Sequence, residues 1–232
     1  MKDGKTNLEK KNPFNERYED FKTFEKLLKR KTNQDDVPAA LEIKKNIPIY
    51  SGQLVRDYAN SSEKKQKLLT EWSNVFKSGA GIIAITNAIK SSSVIETATK
   101  KFEAIIKSEK INGNSGDHFA KPGANDRIWN SLQKHCMEDP QNFIDYYCSE
   151  IIALAAQSWL GPNYQITAQV NSVNPGGEAQ KPHRDYHLGF MSTEQSANFP
   201  PNVHTISQFL TLQGAIAHCD ITIDSGPTLF LP

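Results

Sequence analysis

His183, Asp185 and His187 stand two residues apart in the stretch QKPHRDYHLGF, residues 180–190. In an extended strand, residues separated by two share a face, so the three side chains would converge on one side of the chain. An imidazole nitrogen and a carboxylate oxygen can take adjacent positions on an octahedral metal. A second imidazole from elsewhere would complete the facial triad of non-haem iron(II) sites, which leaves three positions open. His183 and Asp185 could equally form a surface ion pair involving Arg184 or a satisfied polar cluster, and His187 could support the ligands or touch a substrate. The His-x-Asp pattern is short, and it recurs as His218, Cys219 and Asp220. In that second copy, the polar end of an apolar strand bonded to backbone or water competes with the metal reading. The first copy is the stronger metal candidate, because NPGG (174–177) and the Lys-Pro dipeptide before His183 would form a mobile rim that admits ligands.

Two further pairs of polar side chains interrupt apolar runs. Gln169 and Asn171 share a face of the expected strand YQITAQVNSV, and Thr211 and Gln213 share a face of TISQFLTLQGAIAH. Ordinary solvent-facing alternation explains such pairs without any ligand. Phe190 would either line a cavity or pack in the core. His118 and His204 read as loop residues and His135 as a helix-end residue, all at the surface.

The elements that must position these residues fall in a simple order. Half of the first 36 residues are charged, and the apolar side chains there are mostly Tyr18, Phe21, Phe24, Leu27 and Leu28. This spacing predicts one short amphipathic helix in a polar extension over residues 1–45, which buries too little area to offset its ordering entropy. From residue 46 the texture is globular. Asn60 and Glu63 are placed to cap a helix with Leu68, Leu69, Trp72, Val75 and Phe76 on one stripe and Gly79 as its stop. A short strand, GIIAIT, follows. Ser93 and Glu96 form a capping box for a second helix through Ile106. Residues 112–126 carry three glycines and a proline and read as loop. Asp139 and Pro140 open a third helix that ends at Gly161 and Pro162. Beyond residue 163 the helical period gives way to strand patterns: YQITAQVNSV, RDYHLGF, TISQFLTLQGAIAH and PTLFL. Helices first and strands later predict an α+β protein.

Composition narrows the class. The formal charge of +1 provides no basic field for nucleic acid or acidic lipid. No apolar run approaches the roughly 20 residues that span a bilayer, and the first residues are too polar for a signal peptide. The three cysteines, Cys136, Cys148 and Cys219, are too scattered for a disulfide framework or a zinc knuckle. The chain reads as soluble and cytoplasmic, with reduced thiols.

The strand Gln165 to Val173, the loop NPGG, PHRDYH, TISQFLTLQGAIAHCD and DSGPTLFLP, in this order, resemble the phytanoyl-CoA dioxygenase family of iron(II) and 2-oxoglutarate oxygenases. HFAKPGANDRIW, residues 118–129, resembles a loop ahead of the core in some members. The resemblance covers about residues 72–232. It implies N-terminal helices packed on an antiparallel double-stranded β-helix, or jelly roll, within a domain over residues 46–232. It carries His183 and Asp185 over as two iron ligands. Family members place cosubstrate hydrogen-bonding groups on equivalent strands, which makes Gln169 and Gln213, with Thr211 beside Gln213, the first choices for 2-oxoglutarate; Asn171, His187 and Phe190 are then the residues left to meet a substrate. The implied reaction couples oxidative decarboxylation of 2-oxoglutarate by O2 to hydroxylation of a small organic substrate, whose identity no residue specifies. The family's second histidine and its 2-oxoglutarate arginine lie past the Gly-Pro and Leu-Pro turn, here Gly226, Pro227, Leu231 and Pro232. The jelly roll is therefore expected to be incomplete at the C-terminus, and the 232-residue chain to be inactive by itself. Two alternatives stay open: a non-catalytic jelly-roll binding protein, and, further off, a metal-dependent hydrolase using zinc on the His-x-Asp pair.

Overall fold

The structure is a computed structural model that describes residues 21–113, 121, 123–180, 182–183 and 191–232. The chain divides into two units, Met1–Arg30 with His183–Leu212 and Lys31–Pro182 with Gln213–Pro232. In the smaller unit, α1 (Phe21–Leu28) is the short amphipathic helix its spacing predicts, with Phe21, Phe24, Leu27 and Leu28 all exposed.

The larger unit opens on a hairpin. β1 (Glu42–Lys44) pairs antiparallel with β2 (Ile47–Ser51), and the Lys45–Asn46 turn between them takes positive φ at both residues, +48° and +71°. Such a turn matches the twist of its strands, and asparagine tolerates the left-handed conformation. Asn46 is also tied down from outside, since its Oδ1 accepts from the Thr32 amide at 2.6 Å. β3 (Ala84–Thr86) adds parallel to β2 and completes a three-stranded sheet. The crossover is α2 (Gly52–Ala59) and α3 (Ser62–Ser78). Gly52 has to be glycine, because a Cβ there would lie 2.3 Å from the Asn87 carbonyl oxygen.

This sheet and α2, α3 and the later α7 (Glu150–Leu160) enclose the first core: Val37, Ala39, Ala40, Tyr50, Val55, Leu68, Trp72, Val75, Ile151 and Leu154. Glu71 on α3 is buried among them. Its Oε1 accepts from the Tyr50 hydroxyl at 2.8 Å, and its Oε2 from the Ala39 amide at 3.2 Å. Burial raises the Glu71 pKa above the usual carboxylate range, and burial with the neighbouring Glu71 carboxyl raises that of Tyr50.

The second core gathers Ala98, Phe102 and Ile105 of α4 (Ser92–Ile111), Ile128 of β4 (Asn125–Ile128) and Tyr146 of α6 (Pro140–Tyr147), beside α5 (Ser131–Glu138). β4 pairs antiparallel with β5 (Val170–Val173). In the smaller unit, α8 (Thr193–Ser196) and α9 (Pro201–Phe209) follow His183 in the chain.

The fold is mixed α/β, with nine helices and two small sheets among the described residues and no closed barrel among them. Several expected strands change character. Of YQITAQVNSV only Val170–Val173 is strand. The first part of TISQFLTLQGAIAH lies in α9, residues 211–222 are neither helix nor strand, and PTLFL forms no strand. Pro201 at the first helical position pre-sets φ for α9 and gives up an N–H that no helix uses, a start signal stronger than the apolar alternation after it. RDYHLGF lies outside the described residues. The long third helix breaks at Cys148 and Ser149 into α6 and α7. Ser61 caps α3 and Ser91 caps α4, each one or two residues from the caps expected from sequence.

Buried residues begin at Val37, ahead of the expected boundary at residue 45, because the hairpin and the Ala39 contact to Glu71 need them. A chain beginning at Ile47 would lose β1, three core residues and one of the two donors to Glu71. Its unfolding free energy in urea is expected to fall by about 3 kcal/mol or more. Tyr50→Phe should cost about 2 kcal/mol, since it strips the other donor from a buried carboxyl. A raised folded pKa means that the Glu71 contribution is complete below the unfolded carboxylate range and declines as pH rises through the folded value. The Tyr50→Phe loss should therefore be larger above that pH than below it, as urea titrations at several pH values would measure.

Candidate functional site

β4 and β5 present two faces set by their register. Asp126 opposes Ser172, Arg127 opposes Asn171 and Ile128 opposes Val170. Ile128 is fully buried and Val170 packs on the same cluster, so this side of the pair faces the core. Alternation then puts Arg127 and Asn171 on the other side, with Trp129 and Gln169 flanking them. The Arg127 Nη1 donates to Gln169 Oε1 at 2.7 Å, and its guanidinium carbon lies 5.2 Å from the centroid of the Trp129 ring. With its oxygen held by Arg127, the Gln169 carboxamide turns its NH2 the other way, where it can donate to a carboxylate. Gln169 stands one residue before β5, and its bond to Arg127, the register partner of Asn171, places it beside Asn171; the structure adds Arg127 and Trp129, which sequence reasoning missed. The signal for them was the alternation Arg127, Ile128, Trp129 inside a stretch read as loop and its edge.

Two glycine-bearing loops at the end of this strand pair are clasped together. The Asn174 amide donates to the Ala124 carbonyl at 2.9 Å, and its Nδ2 to the Gly123 carbonyl at 3.1 Å and to Asp126 Oδ2 at 3.2 Å. Asp126 Oδ2 also accepts from Lys110 Nζ of α4 at 2.7 Å. A Cβ on Gly177 would come within 3.0 Å of Val173 Cγ1 and 3.3 Å of the Ala124 oxygen, so the absence of a side chain lets the NPGG loop approach closely, and a larger residue would need its neighbours to shift.

The remaining sequence candidates are distributed as follows. His183 is described, exposed and in the smaller unit, whereas Asp185, His187 and Phe190 lie outside the described residues. Thr211 is half-buried in the smaller unit, and Gln213 is exposed in the larger. Neither is in a strand, so the shared-face argument for that pair does not hold. Among the described residues, no group of three or more His, Cys, Asp or Glu stands together to hold a metal.

The second His-x-Asp copy is engaged elsewhere. His218 Nδ1 is 2.8 Å from Thr99 Oγ1, and its Nε2 is 2.7 Å from the Tyr146 hydroxyl. Thr99 already donates its hydroxyl proton to the Ile95 carbonyl at 2.7 Å, so it accepts from His218. The imidazole is therefore the neutral Nδ1–H tautomer, and its remaining lone pair, on Nε2, takes the Tyr146 proton. No lone pair is left for a metal. Burial, with the nearby His135, lowers the His218 pKa. His135 itself is fully buried rather than at the surface. Its Nε2 donates to Asn142 Oδ1 at 2.8 Å, its ring lies 4.8 Å from that of Phe102, and burial lowers its pKa as well. His204 is in α9, not a loop, with Nε2 bonded to the Ser196 carbonyl at 3.0 Å. His118 lies outside the described residues.

A model of the family described as phytanoyl-CoA dioxygenase (PhyH) matches residues 78–232. The chain belongs to this family. Comparisons with curated proteins and with solved structures give no match. Within this phytanoyl-CoA dioxygenase family member, the match starts at the last residue of α3, so the hairpin and α2 stand outside it while the second core, the β4–β5 face and His183 stand inside. No helix among the described residues is long and apolar enough to cross a membrane.

The three cysteines are unpaired, with Cys136 partly buried and Cys148 and Cys219 exposed. Thiol titration without reductant should accordingly give two fast equivalents and a slower third in the folded chain, and three fast equivalents in denaturant.

Proposed function

We propose that this chain is an iron(II)- and 2-oxoglutarate-dependent dioxygenase that hydroxylates a small organic substrate. The observation that carries the reading is the family match over residues 78–232, which contains the His183 and Asp185 pair at strand-face spacing. The donor chemistry fits: an imidazole nitrogen and a carboxylate oxygen are the ligand types of non-haem iron(II), and the competing His218 has both ring nitrogens in hydrogen bonds. His183 and Asp185 would hold the iron, which when bound supplies the O2 chemistry. The frame belonging to this reading is a double-stranded β-helix.

The protein's own residues would bind, orient and exclude water. Gln169, oriented by Arg127, presents its NH2 to a 2-oxoglutarate carboxylate, and Thr211 and Gln213 are the further cosubstrate groups of this proposal. Asn171, His187 and Phe190 would meet the substrate. The near-neutral charge supports a small molecule as the partner, rather than nucleic acid or a membrane, and the proposed compartment is the cytoplasm.

The test needs no knowledge of the substrate. Succinate formed from 2-oxoglutarate with Fe(II), ascorbate and O2 is expected when this sequence is assayed together with the family's second histidine and 2-oxoglutarate arginine, and His183→Ala and Asp185→Ala should each lower it by about 100-fold. Gln169→Ala and Arg127→Ala should raise the half-saturating 2-oxoglutarate concentration by about tenfold while sparing iron binding, as befits the loss of one hydrogen bond. Absence of both iron binding, in an anaerobic titration, and succinate would overturn the reading in favour of a non-catalytic jelly-roll binding protein.

A further inference from the structure

We propose that His218 is a pH-sensitive latch that docks residues 213–220 onto α4 and α6. The segment has no secondary structure of its own, because residues 211–222 form neither helix nor strand. Two side chains dock it on the second core. Ile216 packs against the cluster of Ala98, Phe102, Ile105, Ile128 and Tyr146. His218 inserts between helices, with its ring 5.5 Å from that of Phe102 and 5.6 Å from that of Tyr146.

The latch as it stands uses the neutral ring, with one nitrogen donating and the other accepting. Thr99 Oγ1 spends its proton on the Ile95 carbonyl and accepts from Nδ1–H. The Tyr146 hydroxyl donates to the bare Nε2. Adding a proton at Nε2 keeps the Thr99 bond but turns the other contact around: Tyr146 Oη would have to accept, and the proton of this buried hydroxyl would lose its acceptor. Among the described residues, nothing packed on the ring offers a negative charge in compensation. From α4 it meets Thr99 and Phe102, which do not titrate. From α6 it meets Tyr146, whose phenol burial keeps protonated. From α5 it feels His135, whose field opposes a second positive charge. The Lys101–Asp139 ion pair acts on the His135 side, and in the segment itself Cys219 and Asp220 are exposed.

The sign follows from the direction of the shift. A docked imidazole with a lowered pKa holds the segment fully above the ordinary histidine range, and the hold is lost as pH falls through the docked value. Between the two values the docked-to-released ratio drops about tenfold per pH unit. Gln213 lies on the same segment, so on the cosubstrate reading above the latch would also position that residue. The latch itself stands whether or not that reading does.

The experiment is imidazole 15N NMR of the full chain with amide hydrogen exchange of residues 213–222, from about pH 8 to about pH 5. The expected result is an Nδ1–H tautomer for His218 at the upper end. As that ring charges, exchange within the segment, corrected for its intrinsic pH dependence, should rise at least tenfold while α4 and α6 stay protected. His218→Asn, which donates and accepts without titrating, should flatten the response. Should that variant fail to fold, Tyr146→Phe removes the donor to Nε2 and should move the midpoint up by about one pH unit. An Nε2–H tautomer at the upper end, a segment that stays protected when His218 charges, an undiminished response in His218→Asn, or an unmoved midpoint in Tyr146→Phe would each overturn the proposal.

Discussion

Burial of Ile128 and Val170 in the second core is the constraint on which the candidate site depends. Strand side chains alternate, so anchoring these two residues inward decides where every neighbour points: Arg127, Trp129, Gln169 and Asn171 go to the opposite side. A slip of one residue in this pairing would bury the guanidinium and expose the isoleucine, at a cost no surface hydrogen bond could offset. The clasp of Asn174 on Ala124, Gly123 and Asp126 pins the same register from the loop end. A polar side chain such as Gln169 can then be oriented by a single neighbour, because the backbone beneath it has nowhere to slide.

Burial shifts several polar groups of the larger unit toward their neutral forms. Glu71 sits in the first core with two donors, one to each oxygen, and burial favours its neutral acid. His135 and His218 sit in or against the second core, and burial favours their neutral rings. These groups share one physical logic, in which a low-dielectric surrounding penalises charge and outweighs the hydrogen bonds that favour it, those from Tyr50 and Ala39 at Glu71 and that to Asn142 at His135. They differ in consequence. Glu71 bridges a helix, a strand and the stretch before the hairpin, so its network ties together a region outside the family match. His218 ties down a stretch without secondary structure, so a change in its protonation can release that stretch without opening the core.

The helices were legible because their information is local. The stripe Leu68, Trp72, Val75 with Gly79 behind it, the run Ala98, Phe102, Ile105, and Asp139 followed by Pro140 each lie within a few turns of chain, and α3, α4 and α6 form where these patterns stand. The strand that holds Asn171 was legible in part for the same reason, although it is shorter than its alternation suggested and leaves Gln169 just outside. The strand expected over Thr205 to Phe209 failed because two local signals competed there, and the proline start of a helix outweighed an apolar alternation that had no partner strand to pair with.

Nothing in the chain order pairs Arg127 with Gln169, Ala39 with Glu71, or His218 with Thr99 and Tyr146, for each contact joins residues separated by dozens of positions. Composition and spacing established a near-neutral chain with unpaired cysteines, the helix series and an imidazole–carboxylate pair worth testing as iron ligands. The burial of His135, the rejection of His218 as a ligand and the arginine behind Gln169 came from packing alone. A residue type limits which bonds a side chain can make, but which of those bonds form depends on what the rest of the chain has excluded from water around it.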